Sequence, residues 1–503
     1  EEVFNDTLAH VYRYSGRGNV AYGDQEPEGG YRDNGKTAAL ALMMSAAAQL
    51  TPDGEDSVYA AARDNSAMKS FYATSWFNRA HTGGGIGEMW HAVAMQYMRE
   101  KKPVQWRSFM DERRWHFELS RRYNGSIGIE DGARYDKTAT DHHRSWGTIH
   151  ALVYTAHRKN LRLFGAPPRE WSRNHQLPER PWGTPTDDIF NSLEPALYQG
   201  EPALDTSGEI IPTHASAPLG SMLGDPDTSD ETLMRYAHHP EIGLRVATAR
   251  NIARQGRNHL IMPLLSSDDP RMRDVGLTCL AGMFKGRPIP TSDITDEMWQ
   301  RVGEIFDDPD ASWWVSMKAM DVLARGDARR AVPHVDRLMY FLEREDWWLH
   351  TAAMQALTPL AAHERYAPRI LPVVGDVITS SMHYQSSQPV DDIVKLVRKA
   401  DRDVQQLGLK VFGKAYEALP QTIVGPGGQV TPAQTEILRD RAYSFLKAVP
   451  GSAEAILKMP KLTSKWQETG KESDKFIYRG GAIPNRAILG KWKVVDRVDK
   501  PED

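Results

Sequence analysis

The chain has 503 residues, 40% hydrophobic and 25% charged, and its 62 basic against 66 acidic side chains leave a net charge of −4. At roughly 100–200 residues per domain this length predicts two to four domains, and the composition excludes collagen-like, low-complexity and disordered classes. The balanced charge argues against a nucleic-acid or anionic-membrane partner, the single Cys279 excludes an intrachain disulfide framework and a Cys-rich zinc site, and no apolar run approaches the roughly 18 residues of a membrane span.

Residues 1–165 predict three apolar helices, Lys36 to Leu50, Gly87 to Met98 and Trp146 to His157. Each follows a polar loop: Gly29-Gly30, Gly83-Gly84-Gly85 and Asp141-His142-His143, respectively. More polar helical stretches, Glu55 to Phe77 and Val104 to Arg122, alternate with them. The apolar starts recur every 50 to 60 residues or so, the rhythm of stacked hairpins in which an apolar inner helix alternates with an amphipathic outer one. The expectation is an all-α fold that opens with a partial α/α toroid, the C-terminal half of a ring.

Residues 166–228 contain nine prolines from Pro167 to Pro218, which break any long helix and predict a structured linker or wrap. From 229 to about 450 a second period begins. His239-Pro240-Glu241, Asp269-Pro270-Arg271, Asp308-Pro309-Asp310 and Glu345-Asp346-Trp347 each precede an apolar helix, at intervals of 30, 39 and 37 residues. Proline suits a first helical turn, and a degenerate period near 40 is the mark of a HEAT-like α-solenoid. The Trp313-Trp314 and Trp347-Trp348 pairs fall at matching places and predict packing between repeats. Residues 451–503 read as an extended tail ending in the opening strand of a β-unit, Ile488 to Val495. With no methionine at Glu1 and that unfinished unit, the sequence reads as a piece of a longer polypeptide whose signal peptide would lie outside it.

Gly30 to Thr37 (GYRDNGKT) matches the phosphate-loop pattern. No buried strand precedes it and no βαβ alternation follows, so the expected role is a helix start, with Asp33 or Asn34 as cap. Glu88 and His91 share a helix face, but their spacing is not that of a zinc helix. Neither a cofactor nor a metal is expected. His81, in the loop before the second inner helix, and Asp141, His142 and His143, before the third, are the candidate catalytic groups, because loops at one end of a toroid line its cavity. Aromatics gather at the same entrances, Tyr22, Trp76, Trp90, Tyr135 and Trp146 among them, and aromatic faces with polar neighbours suit sugar rings.

At Gly18-Asn19-Val20-Ala21-Tyr22-Gly23-Asp24, Asp33-Asn34-Gly35-Lys36, His81-Thr82-Gly83, Trp115 to Ser126 and Trp146-Gly147, residues 10–165 resemble a little-characterised bacterial family of large exported proteins. Its members pair a PDZ-like module with a terpenoid-cyclase-like α/α toroid and often carry HEAT-like repeats behind it. The resemblance implies an exported protein, periplasmic or extracellular, whose own N-terminal segment or a protein partner completes the ring. It brings no established activity.

Two functions remain open. In the first, the toroid acts on a polysaccharide. A lyase needs a base (His81, His142 or His143), an acid (Tyr22 or Tyr135) and a neutraliser for the sugar carboxylate (Asn34 or Arg79). A hydrolase instead uses two carboxylates from among Asp24, Asp33, Glu88 and Asp141. Trp76, Arg79, Trp90, Tyr135 and Trp146 are the expected substrate contacts. In the second, the chain is a non-catalytic scaffold whose solenoid binds protein partners.

Overall fold

The computed structural model describes residues 2–21, 26–27, 35–73, 86–119, 121, 123, 147–170, 176–198, 200–202, 204–210, 221–282, 287–344, 346–380, 387–418, 423–424 and 430–431. Among them the fold is all-α apart from two short antiparallel ladders, β1 (Leu197–Tyr198) with β2 (Glu201–Pro202) and β3 (Ile423–Val424) with β4 (Val430–Thr431). The chain divides into two compact units, residues 1–21 with 26–319, and residues 22–25 with 320–503.

The first unit opens with α1 (Glu2–Tyr12) and α2 (Lys36–Ala48). Ala, Leu and Met fill α2 on nearly every face, as in a helix enclosed by neighbours. Its N-cap is Gly35, left-handed at φ 91°, rather than Asp33 or Asn34, which lie outside the described residues. A side chain at that φ would strain the backbone, so glycine fits. Ser57 caps α3 (Val58–Tyr72) by accepting from the Ala60 N–H at 3.2 Å. The two helices form an antiparallel hairpin, since Thr37 in the first turn of α2 and Asn65, Ser66 and Lys69 in the second half of α3 line one small cavity.

The next helix, α4 (Ile86–Ala94), passes through a 3-10 turn (Met95–Tyr97) into α5 (Met98–Lys101), and α6 (Pro103–Leu119) folds back on it. Gln96 fixes the return, accepting from the Trp106 indole N–H at 3.3 Å while its amide contacts the Met110 sulfur at 3.5 Å. Packed on α4 is α7 (Gly147–Thr155). Ala38, Ala41, Met68, Phe71, Ala92, Met95, Met98 and Phe109 form the shared core. Each large apolar side chain in it contributes about 1.5–3 kcal/mol, and the alanines let the helices approach closely.

The proline-rich segment is a strap laid over this unit. Its short α8 (Pro185–Asp188) is the centre. Tyr12 donates to Asp188 (2.7 Å), which also takes Arg180 (2.7 Å), and the Tyr59 hydroxyl donates to the Pro178 carbonyl (2.6 Å). Gly16, at φ 73°, leaves room for Phe190; a Cβ there would stand 2.8 Å from it.

Behind the strap come α9 (Asp230–Ala237), α10 (Ile242–Arg254), α11 (Ile261–Leu265), α12 (Pro270–Ala281), α13 (Asp296–Asp307) and α14 (Trp313–Leu323), the division between units falling within the last. The Asp-Pro expectation holds at α12, where Asp269 accepts from the Arg271 N–H and Pro270 fills the first turn. It fails at Asp308, which ends α13. The start of α14 is capped instead from the strap: buried Asp187 accepts from the Ser312 hydroxyl and from the N–H groups of Trp313 (3.1 Å) and Trp314 (3.5 Å). Trp182 packs on both tryptophans at ring distances of 5.3 and 5.1 Å, so their neighbour includes the strap.

The second unit holds α15 (Ala328–Ala331), α16 (Val335–Leu342), α17 (Trp347–Leu357), α18 (Ala367–Ser380), α19 (Ser387–Val397) and α20 (Arg402–Ala418). Neighbours pair as α16 with α17 and α18 with α20. Trp347 and Trp348 open α17, buried and 5.5 Å apart.

Candidate functional site

The directions of the inner helices decide where the predicted site would assemble. The Leu163 carbonyl accepts from the Ser45 hydroxyl (2.6 Å), near the end of α2, and from the Tyr97 hydroxyl (2.9 Å), just beyond α4. Arg162 donates to the Gln49 carbonyl at the α2 terminus (3.0 Å), and Phe164 packs on Tyr97 at 5.4 Å. The C-terminal ends of α2 and α4 therefore meet at residues 162–164, and the two helices run parallel. Their N-terminal ends share the opposite end of the layer.

Of the sequence-predicted residues, Tyr22, Asp24, Asp33, Asn34, Trp76, Arg79, His81, Tyr135, Asp141, His142, His143 and Trp146 lie outside the described residues. Trp90 is described: it sits in α4, partly buried, packed against the core. His91 beside it is fully buried. Thr37, the hydroxyl of the phosphate-loop-like match, is 2% exposed and accepts from the Val20 N–H at 2.9 Å, so it faces inward as part of the fold.

The described residues hold a polar cluster that motif reasoning missed. Lys69 and Tyr72, one turn apart near the end of α3, meet Glu209 of the strap and His239-Pro240-Glu241 before α10. The Lys69 ammonium pairs with Glu241. The Tyr72 hydroxyl donates to Glu209 Oε2 (2.7 Å), and His239 Nε2 lies 3.0 Å from Glu209 Oε1. Because the Glu241 backbone N–H donates to His239 Nδ1 (2.9 Å), the neutral ring carries its proton on Nε2 and donates to the carboxylate. Burial and the Glu209 charge push the Tyr72 phenol well above its ordinary pKa, so it stays a neutral donor. Arg245 closes the cluster by donating to the carbonyls of His239 (2.8 Å) and Pro240 (2.6 Å), and burial lowers its pKa to about 10. Arg17 pairs with Asp274 nearby in the chain's packing, both side chains buried.

Two cavities of about 10 Å³ flank the cluster, both lined by Asn65, Pro240 and Glu241. Each has room for roughly one water molecule and none for a sugar. The cluster's chemistry is thus mutual neutralisation: Lys69 with Glu241, and Tyr72 and His239 with Glu209, pair where water is excluded. Among the described residues no group of three or more His, Cys, Asp or Glu is placed to hold a metal ion, and no helix is long and apolar enough to cross a membrane. The sequence signal for this cluster was faint: His238-His239-Pro240-Glu241 reads as a helix start, and Glu209 lies among prolines.

Residues 1–165 match the model of a family described as a domain of unknown function, DUF6288. A search of the curated proteins finds no match. Among solved structures, the crystal structure of an engineered protein from the Northeast Structural Genomics Consortium is similar at 13% identity and a TM-score of 0.31, covering 46% of this chain and 98% of its own. That likeness is too slight to carry an argument.

Proposed function

We propose that residues 1–165 are a polysaccharide-handling module and that the repeats behind them bind a partner. The supporting observation is the parallel run of α2 and α4, whose C-terminal ends meet at Leu163. The segments that precede their N-termini, 22–34 and 74–85, carry Tyr22, Asp24, Asp33, Asn34, Trp76, Arg79 and His81, so both attach to one end of the layer. In the lyase form His81, His142 or His143 takes the proton next to the sugar carboxylate, Tyr22 or Tyr135 protonates the leaving oxygen, and Asn34 or Arg79 neutralises the carboxylate. In the hydrolase form two of Asp24, Asp33, Glu88 and Asp141 flank the glycosidic bond. An exported setting, the toroid and solenoid assignments, and domain boundaries near 165, 228 and 450 belong to the same proposal.

The test is release of product from acidic and neutral polysaccharides by the full chain, read as unsaturated ends for a lyase and as reducing ends for a hydrolase. With His81 as the base, His81→Ala should abolish lyase release, and with Asp141 as one of the two carboxylates, Asp141→Asn should abolish hydrolase release. A chain that neither binds nor cleaves any polysaccharide would remove this reading. A second reading, a non-catalytic scaffold, is favoured by the cluster around Glu241, whose charges are buried and spent on one another. It predicts a protein partner whose capture is indifferent to both substitutions.

A further inference from the structure

We propose that Tyr154 of α7, with Arg114 of α6 and Arg121 just past its end, forms a docking surface for a carboxylate-bearing polysaccharide; this rests on the polysaccharide reading above. Tyr154 is 54% exposed, although its ring meets buried Phe117 at 6.2 Å and 73°. Three exposed charged groups, Glu118 and Arg114 of α6 and Arg121 just past its end, lie within electrostatic range of its hydroxyl. Arg121 and Glu118 touch at 3.4 Å with side chains 61% and 60% exposed. So open a pair contributes little, and exchanging Glu118 for a ligand carboxylate costs correspondingly little. Arg114 is exposed one helical turn before Glu118. Trp115, 41% exposed, adds a second aromatic surface on the adjoining side of α6.

The placement matters as much as the residue types. Gln96 meets Trp106 and Met110, fixing α6 antiparallel to α4 and α5. Phe117 shares one core cluster with Ala92 and Val93 of α4 and Val153 of α7, so the face that carries Tyr154 is seated on the core joining these three helices. A sugar stacks its C–H face on an aromatic ring, while guanidinium groups take a carboxylate in a bidentate fork. An uronate-containing chain offers both features in every acidic residue; a neutral glycan offers only the first.

The experiment measures binding of the full chain to polygalacturonate, alginate and dextran, by affinity electrophoresis and calorimetry. Tyr154→Ala, and separately Arg114→Ala with Arg121→Ala, should each weaken binding of the acidic polymers tenfold or more without moving the melting temperature. Tyr154→Phe should retain most of it, and added salt should weaken binding to the native chain. Should Tyr154→Ala fail to fold, the paired arginine variant carries the test. Unchanged acidic binding in these variants would overturn the docking surface and leave the polysaccharide reading standing. Dextran bound as tightly as the acidic polymers would overturn the choice of acidic ligand. No binding of any polysaccharide by the native chain would overturn both readings.

Discussion

Glu241 does three things with one carboxylate. It accepts from the Gly243 N–H (3.0 Å) to cap α10, supplies the counter-charge to Lys69, and forms part of the wall of both small cavities. Glu241→Gln keeps the acceptor and removes the charge, leaving a buried ammonium alone. We expect a loss of about 3 kcal/mol in urea unfolding, with Lys69→Met in the same chain recovering most of it. A double variant as unstable as the single would show that the pair is not what matters. His350 sets a pH dependence in the second unit. It is fully buried in α17, its Nδ1–H donates to the Arg344 carbonyl (3.3 Å), and burial lowers its pKa to about 4 from 6.5. Between those values the unfolded chain holds a proton that the folded chain refuses. This part of the stability is therefore complete above pH 6.5 and is lost as pH falls toward 4, by about 3 kcal/mol. His350→Gln should flatten that stretch of the stability-against-pH curve; an unchanged slope would exonerate the histidine.

Helices were the legible part of this sequence. Lys36 to Leu50 and Trp347 to Leu357 announce themselves because they are long apolar runs rich in good helix formers, with the breakers standing outside them. Caps were legible only when local. Asp269 lies beside the turn it satisfies, whereas Asp187 caps α14 from 125 residues away, and no window along the chain contains both partners. Tyr72 with Glu209 and Lys69 with Glu241, 137 and 172 residues apart, were hidden for the same reason. Of the predicted site only Trp90 falls among the described side chains, and it packs on the core. Asp187 gives the element-scale prediction. Asp187→Ala strips the acceptor from the Ser312 hydroxyl and the first N–H groups of α14, and should cost about 2–3 kcal/mol in thermal unfolding. Asp187→Asn should cost less, because burial already pushes the pKa of this carboxyl upward and a neutral amide keeps an acceptor there. Equal losses from the two changes would point to packing rather than capping.

At the scale of the whole molecule, the matched region ends at residue 165 but the compact unit continues to 319. Cut at 165, the chain keeps Lys69, Tyr72 and Arg17 and loses Glu241, Glu209 and Asp274, the carboxylates that answer them. We expect residues 1–165 alone to aggregate or bind a hydrophobic dye strongly, and residues 1–319 to melt cooperatively; a soluble, cooperatively melting 1–165 fragment would refute this. The pairing of Arg17 with Asp274 also has a meaning in time. Their separation of 257 residues, at roughly 5–20 residues per second of synthesis, delays their meeting by on the order of 10 to 50 s. Throughout that interval Arg17 has been made without the carboxylate that it meets in the folded chain. A growing chain in that condition needs shelter, so the yield of this protein should depend on chaperones acting at the ribosome more than on its final stability.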